Sequence, residues 1–131
     1  MAVRREINTQ KTRILKDLFG FARFRAGQEQ VVDALLDGRN VLTVMPTGSG
    51  KSLCFQVPAL INPGLTIVVS PLVALMHDQV AALRLIGIGA DTINSSRSRE
   101  DNVAVWKQVT AGEIKLLYLS PERLLTERML R

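Results

Sequence analysis

The sequence predicts an α/β fold, in which helices cover both faces of a parallel β-sheet. From residue 41 onward, short apolar runs alternate with stretches of helical periodicity. The apolar runs are nearly continuous, which is typical of strands buried on both sides of a parallel sheet. We predict four such strands, at residues 41–45, 65–69, 90–93 and 114–119.

Six helices are predicted around these strands, two of them before the first strand. In the first helix, Thr9 is placed to cap the start and Gly20 to end it. Ser98 and Asp101 have the spacing of a capping box, which supports a helix starting at residue 99. The predicted helices span residues 9–19, 29–37, 51–60, 72–86, 99–111 and 122–130.

Length and composition limit the class of protein. The 131 residues, 47% hydrophobic and 22% charged, are typical of one globular domain with its own core. The longest apolar stretch, residues 65–76, is too short to span a bilayer, and the N-terminus shows no apolar secretory segment. The chain has a single cysteine, Cys54, so it cannot form an internal disulfide, which fits a reducing compartment. Its position in an apolar predicted helix favours a packing role.

The net charge of +5 lies in the N-terminal segment. Residues 1–25 carry seven Lys and Arg against two acids. Such a segment attracts nucleic acid or a nucleotide, and it is equally typical of a solvated helix face. Charge alone leaves both interpretations open.

A glycine-containing loop joins the first predicted strand to the helix at residues 51–60. It comprises Met45, Pro46, Thr47, Gly48, Ser49, Gly50, Lys51 and Ser52. Its glycines let backbone N–H groups face a polyphosphate, and the helix adds the positive end of its dipole. Lys51 supplies a cation for the β- and γ-phosphates, and Ser52 a hydroxyl for Mg²⁺. The strand and helix predicted around it favour a loop that binds nucleotide phosphates over an ordinary glycine-rich turn. Met45 replaces the first glycine of the general G-x-x-x-x-G-K-[ST] pattern, as in the Thr-Gly-Ser-Gly-Lys variant of helicases.

Two predicted strands end in Ser-Pro, at Ser70-Pro71-Leu72 and at Ser120-Pro121. A capping serine followed by proline explains each pair as a simple helix start. In a parallel sheet, both junctions also fall on the carboxyl edge, where such sheets bind ligands. Amides exposed there are suited to phosphates of a nucleotide or of a nucleic-acid backbone.

Taken together, these stretches resemble the RecQ family of superfamily 2 DNA helicases over almost the whole chain. Residues 19–30 resemble the family's motif 0, residues 45–59 its motif I, residues 69–80 its motif Ia, and residues 117–124 the motif before the acidic one. The resemblance implies a P-loop NTPase (RecA-like) fold. It makes residues 1–131 a partial helicase ATP-binding domain, with N-terminal helices at 1–38 and the α/β core at 39–131. The sheet then looks truncated before the acidic-motif strand.

The resemblance also implies ATP-driven 3′-to-5′ translocation and unwinding, with ATP and Mg²⁺ as cofactors and single-stranded or forked DNA as partner. Phe21, Arg25 and Gln28 are implied to recognise adenine by stacking and through the side-chain amide. From the residues alone, a core aromatic and an ion-paired arginine remain the alternative. Lys51 is implied to act in catalysis. We expect a cytoplasmic, nucleoid-associated protein in a bacterium or a nuclear one in a eukaryote.

The translocated strand is implied to lie against Ser70, Pro71 and Leu72. No Asp-Glu pair follows an apolar strand in these residues, although the family holds Mg²⁺ and the attacking water with such carboxylates. We therefore expect weak nucleotide binding and little hydrolysis by this chain alone. A truncated sheet also leaves an unpaired edge, which favours self-association or low stability. The alternatives are a DEAD-box-like RNA helicase fragment and a non-catalytic nucleotide- or nucleic-acid-binding module.

Overall fold

The computed structural model describes residues 2–45, 50–93 and 97–124. The chain forms two compact units, Met1–Pro63 and Gly64–Arg131. In the described residues, every helix is too short or too polar to cross a membrane.

The first unit consists of three helices, α1 (Ala2–Asp17), α2 (Gln28–Leu36) and α3 (Lys51–Ile61). Both α1 and α2 pack against α3. Apolar side chains at helical spacing form the buried interior of the unit, which includes Leu15, Val32, Cys54 and Val57. The first helix starts well before the predicted Thr9, so Thr9 lies inside α1 and the predicted cap there is wrong.

A buried cation connects α1 to α2. The Lys11 Nζ lies 2.5 Å from Asp33 Oδ1 and 2.9 Å from Glu29 Oε1, and the Lys11 side chain is only 4% exposed. Burial lowers the pKa of this ammonium group, but the bonds to Asp33 and Glu29 outweigh burial and raise the pKa above its ordinary value of 10.5. Lys11 therefore stays charged and holds the two helices together.

The second unit contains the sheet, with strands β1 (Thr66–Val69), β2 (Ala90–Ile93) and β3 (Leu116–Leu119). The strands are parallel, in the order β1-β3-β2. Between them lie helices α4 (Val73–Leu85) and α5 (Arg99–Thr110), and α6 (Pro121–Leu124) follows β3. The predicted α/β class is confirmed, as are three of the four strands.

Helices α4 and α5 cover opposite faces of β3. On one face, Leu117 and Leu119 belong to a buried cluster with Val105 of α5. On the other face, the Tyr118 hydroxyl donates a hydrogen bond to Gln79 Oε1 of α4 at 2.8 Å. Neighbouring residues of a strand point to opposite faces, which explains why β3 is buried throughout.

The start of α5 is capped as predicted. The Asp101 N–H donates to Ser98 Oγ at 3.1 Å, so a side chain satisfies one of the amides that the helix leaves unbonded.

The strand predicted at residues 41–45 is wrong. These residues have no regular structure, and the side chains of Leu42 and Val44 are 93% and 92% exposed. A strand exists only where a neighbouring strand supplies hydrogen-bond partners, and all of the described strands lie in the second unit. Residues 41–45 are thus apolar enough to form a strand, but no strand among the described residues pairs with them.

Candidate functional site

The described part of the predicted phosphate loop consists of its two ends. Gly50 is the N-cap of α3, with φ 81° and ψ 35°, a left-handed conformation that glycine adopts readily. Lys51 and Ser52 occupy the first turn of α3, the lysine exposed and the serine half-buried. The first turn of a helix directs backbone N–H groups and the positive end of the helix dipole outward, as an anion requires.

Four of the predicted loop residues are not described. Pro46, Thr47, Gly48 and Ser49 lie outside the described residues. Their assignment to the loop therefore remains a sequence prediction.

Gln28 links the start of α2 to the start of α3. The Arg25 N–H donates to Gln28 Oε1 at 2.7 Å, and Gln28 Nε2 donates to the Gly50 carbonyl at 3.0 Å. Gly27, with φ 86°, is the left-handed residue that turns the chain into α2 and places Gln28 at its first position. The predicted adenine motif is thereby joined to the predicted phosphate site.

The turn before α2 also lies close to the other end of the loop. A Cβ atom built on Gly27 would lie 3.4 Å from Cε of Met45. Gly27 gives no local sequence signal for this role, because the residue before a helix usually has an extended backbone rather than a positive φ. The structure therefore brings Gln28, Met45 and Gly50 together within the first unit.

Phe21 and Arg25 are both exposed, and Phe21 is 44% exposed. The Phe21 N–H donates to the Leu15 carbonyl at 3.0 Å, which fixes the backbone of this turn against the end of α1. The neighbouring Phe24 is half-buried. Exposed planar side chains of these two types are suited to stacking on a base.

The metal-binding capacity of the site rests on Ser52. Within the described ranges, no group of three or more His, Cys, Asp or Glu side chains is placed to hold a metal ion. Mg²⁺ usually keeps several waters and is held by one or two carboxylates and by substrate phosphates. A serine hydroxyl in the first turn fits the one further ligand that a phosphate-binding loop supplies. Cys54 lies further along α3, where burial raises the pKa of its thiol, so it serves as a packing residue, as predicted.

The second unit holds the predicted nucleic-acid edge at the end of β1. The Ser70 N–H donates to the Leu119 carbonyl at 3.0 Å and extends the β-ladder by one residue. The Ser70 Oγ then accepts a hydrogen bond from the Leu72 N–H at 3.2 Å, which turns the chain toward α4. Pro71 and Leu72 are exposed, and Leu72 is 59% exposed. These three residues thus form a turn that presents apolar surface at the carboxyl edge of the sheet.

The two Ser-Pro junctions differ in detail. Pro121 begins α6, as expected for proline at the first helical position. Pro71 instead precedes α4, which starts at Val73 without a side-chain cap. The helix-start explanation therefore accounts for the second junction better than for the first.

Comparison with known proteins identifies the relatives of this chain. Residues 25–130 match the DEAD/DEAH box helicase family. The chain is 51% identical over 113 residues to the ATP-dependent DNA helicase RecQ of Haemophilus influenzae, an alignment that covers 86% of the chain and 18% of that protein. It is also 51% identical over 113 residues to the ATP-dependent DNA helicase RecQ of Synechocystis, which covers 86% of the chain and 24% of that protein. The chain thus spans less than a quarter of the length of these two relatives.

Solved structures share the fold. One is a hypothetical ATP-dependent RNA helicase from Sulfolobus tokodaii, with a TM-score of 0.69 and 20% identity. The superposition covers 90% of this chain and 35% of that one.

Proposed function

The chain belongs to the DEAD/DEAH box helicase family, and we propose that it forms the ATP-binding beginning of a RecQ-type DNA helicase motor lobe. In that role it binds ATP and Mg²⁺ and supplies part of the edge that faces DNA. Hydrolysis coupled to 3′-to-5′ translocation and unwinding of single-stranded or forked DNA is proposed for the whole protein.

The contact between Gln28 and Gly50 is the observation that carries this proposal. It joins the turn with the exposed Phe21 and Arg25 to the helix start that bears Lys51 and Ser52. A base-binding surface and a phosphate-binding helix start on one small unit are what a nucleoside triphosphate requires.

Each group has a separate task at this site. The first-turn N–H groups of α3 hold phosphate oxygens, and Lys51 neutralises charge on the β- and γ-phosphates. Phe21 and Arg25 stack on adenine, and the Gln28 amide bonds to its edge. Ser52 would hold Mg²⁺ together with phosphate oxygens and water, and the ion would offset phosphate charge.

The DNA role is proposed for the turn at Ser70, Pro71 and Leu72. Its support is the exposure of Pro71 and Leu72 at the carboxyl edge of β1. DNA is favoured over RNA because Ser70-Pro71-Leu72 and the next residues differ from the Pro-Thr-Arg-Glu-Leu pattern of DEAD-box RNA helicases.

Binding of ATP and of a non-hydrolysable ATP analogue, each measured with and without single-stranded DNA, tests the proposal. We expect both nucleotides to bind weakly and equally, with little turnover, because the sequence has no Asp-Glu pair after an apolar strand. Absence of binding by both nucleotides would overturn the nucleotide role. DNA-stimulated ATP hydrolysis that is lost in Lys51→Ala would overturn the expected inactivity of the isolated chain.

A further inference from the structure

We propose that Gln28 is a positioning residue for the phosphate-binding start of α3, in addition to any contact with adenine. The inference rests on the proposed nucleotide site and assigns to Gln28 an effect on ligands that have no base. It follows from the geometry of one buried amide and the peptide group that it contacts.

The Gln28 amide is fixed in one orientation. The residue is only 2% exposed, its Oε1 accepts from the Arg25 N–H, and its Nε2 donates to the Gly50 carbonyl. The reversed amide would set an oxygen against the Gly50 carbonyl and an N–H group against the Arg25 N–H. Both contacts would be repulsive, so the two bonds permit a single orientation of the side chain.

The contact at Gly50 is also close. A Cβ atom on Gly50 would overlap Gln28 Nε2, so only glycine leaves room for the amide. The left-handed φ of 81° at Gly50 requires glycine independently. Gln28 therefore lies directly against the backbone of the N-cap.

This contact controls the direction of the Lys51 N–H. The Gly50 carbonyl and the Lys51 N–H belong to the same planar trans peptide, in which the two groups point in opposite directions. The same carbonyl also accepts from the Leu53 N–H at 3.2 Å within the first turn. By holding the Gly50 carbonyl on one side, Gln28 directs the Lys51 N–H, a phosphate-binding donor, to the other side.

A ligand without a base separates positioning from adenine recognition. Inorganic tripolyphosphate with Mg²⁺ offers the phosphates of ATP and nothing for an adenine-reading amide. In Gln28→Ala we expect tripolyphosphate affinity to fall about tenfold, the loss typical of one hydrogen bond removed from a buried partner. The loss of ATP affinity should be at least as large. Calorimetric titration of both ligands measures the two effects on the same preparation.

Two further variants keep the test decisive. Gln28→Glu preserves the shape and the acceptor for the Arg25 N–H but places an oxygen against the Gly50 carbonyl, so it too should weaken tripolyphosphate binding. Gln30→Glu is the matched control, since Gln30 is exposed on the same helix and acquires the same charge. It should leave both affinities within about twofold of the unsubstituted chain. Circular dichroism verifies that each variant is folded at the temperature of titration.

The possible results are distinct. Reduced ATP affinity with unchanged tripolyphosphate affinity in Gln28→Ala would show that Gln28 acts only on the base, and would overturn the inference. Failure of the unsubstituted chain to bind tripolyphosphate while it binds ATP would overturn it as well, as would loss of folding in Gln28→Glu. Failure of the unsubstituted chain to bind ATP would instead refute the proposed function.

Discussion

Residues 41–45 and strand β3 are similar in sequence and opposite in structure. Both are short apolar runs that the pattern predicts as strands. In the structure, β3 is the central strand and its four residues are at most 1% exposed, whereas Leu42 and Val44 are more than 90% exposed and belong to no strand. An apolar run therefore gives a segment the capacity for burial, but the segment becomes a strand only when a neighbouring strand pairs with it, as β3 does with β1 and β2.

The two units also differ in how their buried parts are assembled. In the second unit, the sheet brings together residues far apart in sequence and buries them between α4 and α5. In the first unit, apolar side chains of three helices form the interior, and polar contacts of Lys11 with Glu29 and Asp33 and of Gln28 with Gly50 also join the helices. Specific polar partners therefore add to apolar burial in the first unit.

The largest effect is expected at the centre of the sheet. Leu117 is fully buried against the α5 face, so Leu117→Ala leaves a cavity and should lower the free energy of unfolding by about 2–5 kcal/mol. Urea denaturation monitored by circular dichroism measures this loss. A loss below about 1 kcal/mol would mean that β3 is not the central buried strand.

A smaller effect is expected from the ion pairs of Lys11 with Glu29 and Asp33. Lys11→Met keeps the apolar stem and removes the charge, and should cost about 1–2 kcal/mol because two carboxylates lose their partner. The folded-state pKa of Lys11 is raised above 10.5, so its contribution is fully present below about pH 10.5 and is lost as pH rises through the folded-state value.

The pH dependence provides the control for that variant. Above about pH 10.5, the unsubstituted chain should lose stability toward that of Lys11→Met, so the difference between the two should shrink. A difference that stays constant from neutral to alkaline pH would show that packing, not charge, accounts for the loss.

The smallest effect is expected at residues 41–45. Leu42 is 93% exposed, so Leu42→Lys should change the free energy of unfolding by less than about 0.5 kcal/mol. The same urea experiment, run beside Leu117→Ala, gives the comparison directly. A loss above about 1.5 kcal/mol at Leu42 would show that this segment is buried in solution.

The sequence predicted the second unit well because its signals are local. Short apolar runs between helical patterns locate the strands, and β1, β2 and β3 lie within the predicted ranges. Only β3 is both apolar and buried along its whole length, since β2 contains Asp91 and Thr92 and β1 is partly exposed. The cap at Ser98 is also local, since its partner Asp101 is three residues away. The predicted start of α1 is too late because Thr9 is a residue type that caps helices, although the sequence before it has Val3 and Ile7 at helical spacing.

The sequence predicted which residues belong to the candidate site, but it did not predict the contacts between them. The residue types of the loop and of motif 0 identified Lys51, Ser52 and Gln28 in advance, and their functional roles remain predictions. The bond from Gln28 to Gly50 joins residues 22 positions apart and depends on how α2 packs against α3, which no local pattern encodes. For the same reason, the sequence showed that residues 41–45 are apolar but not that they are unpaired.

Equilibrium binding of ATP with Mg²⁺ to the unsubstituted chain and to Lys51→Ala tests whether the start of α3 binds the phosphates of ATP. Lys16→Ala is the matched control, since Lys16 is an exposed lysine of the same unit, on α1. We expect Lys51→Ala to weaken ATP binding by about tenfold or more, because a charged partner of phosphate is lost, while Lys16→Ala binds ATP as the unsubstituted chain does. Equal affinities of all three proteins, or a greater loss in Lys16→Ala, would contradict it.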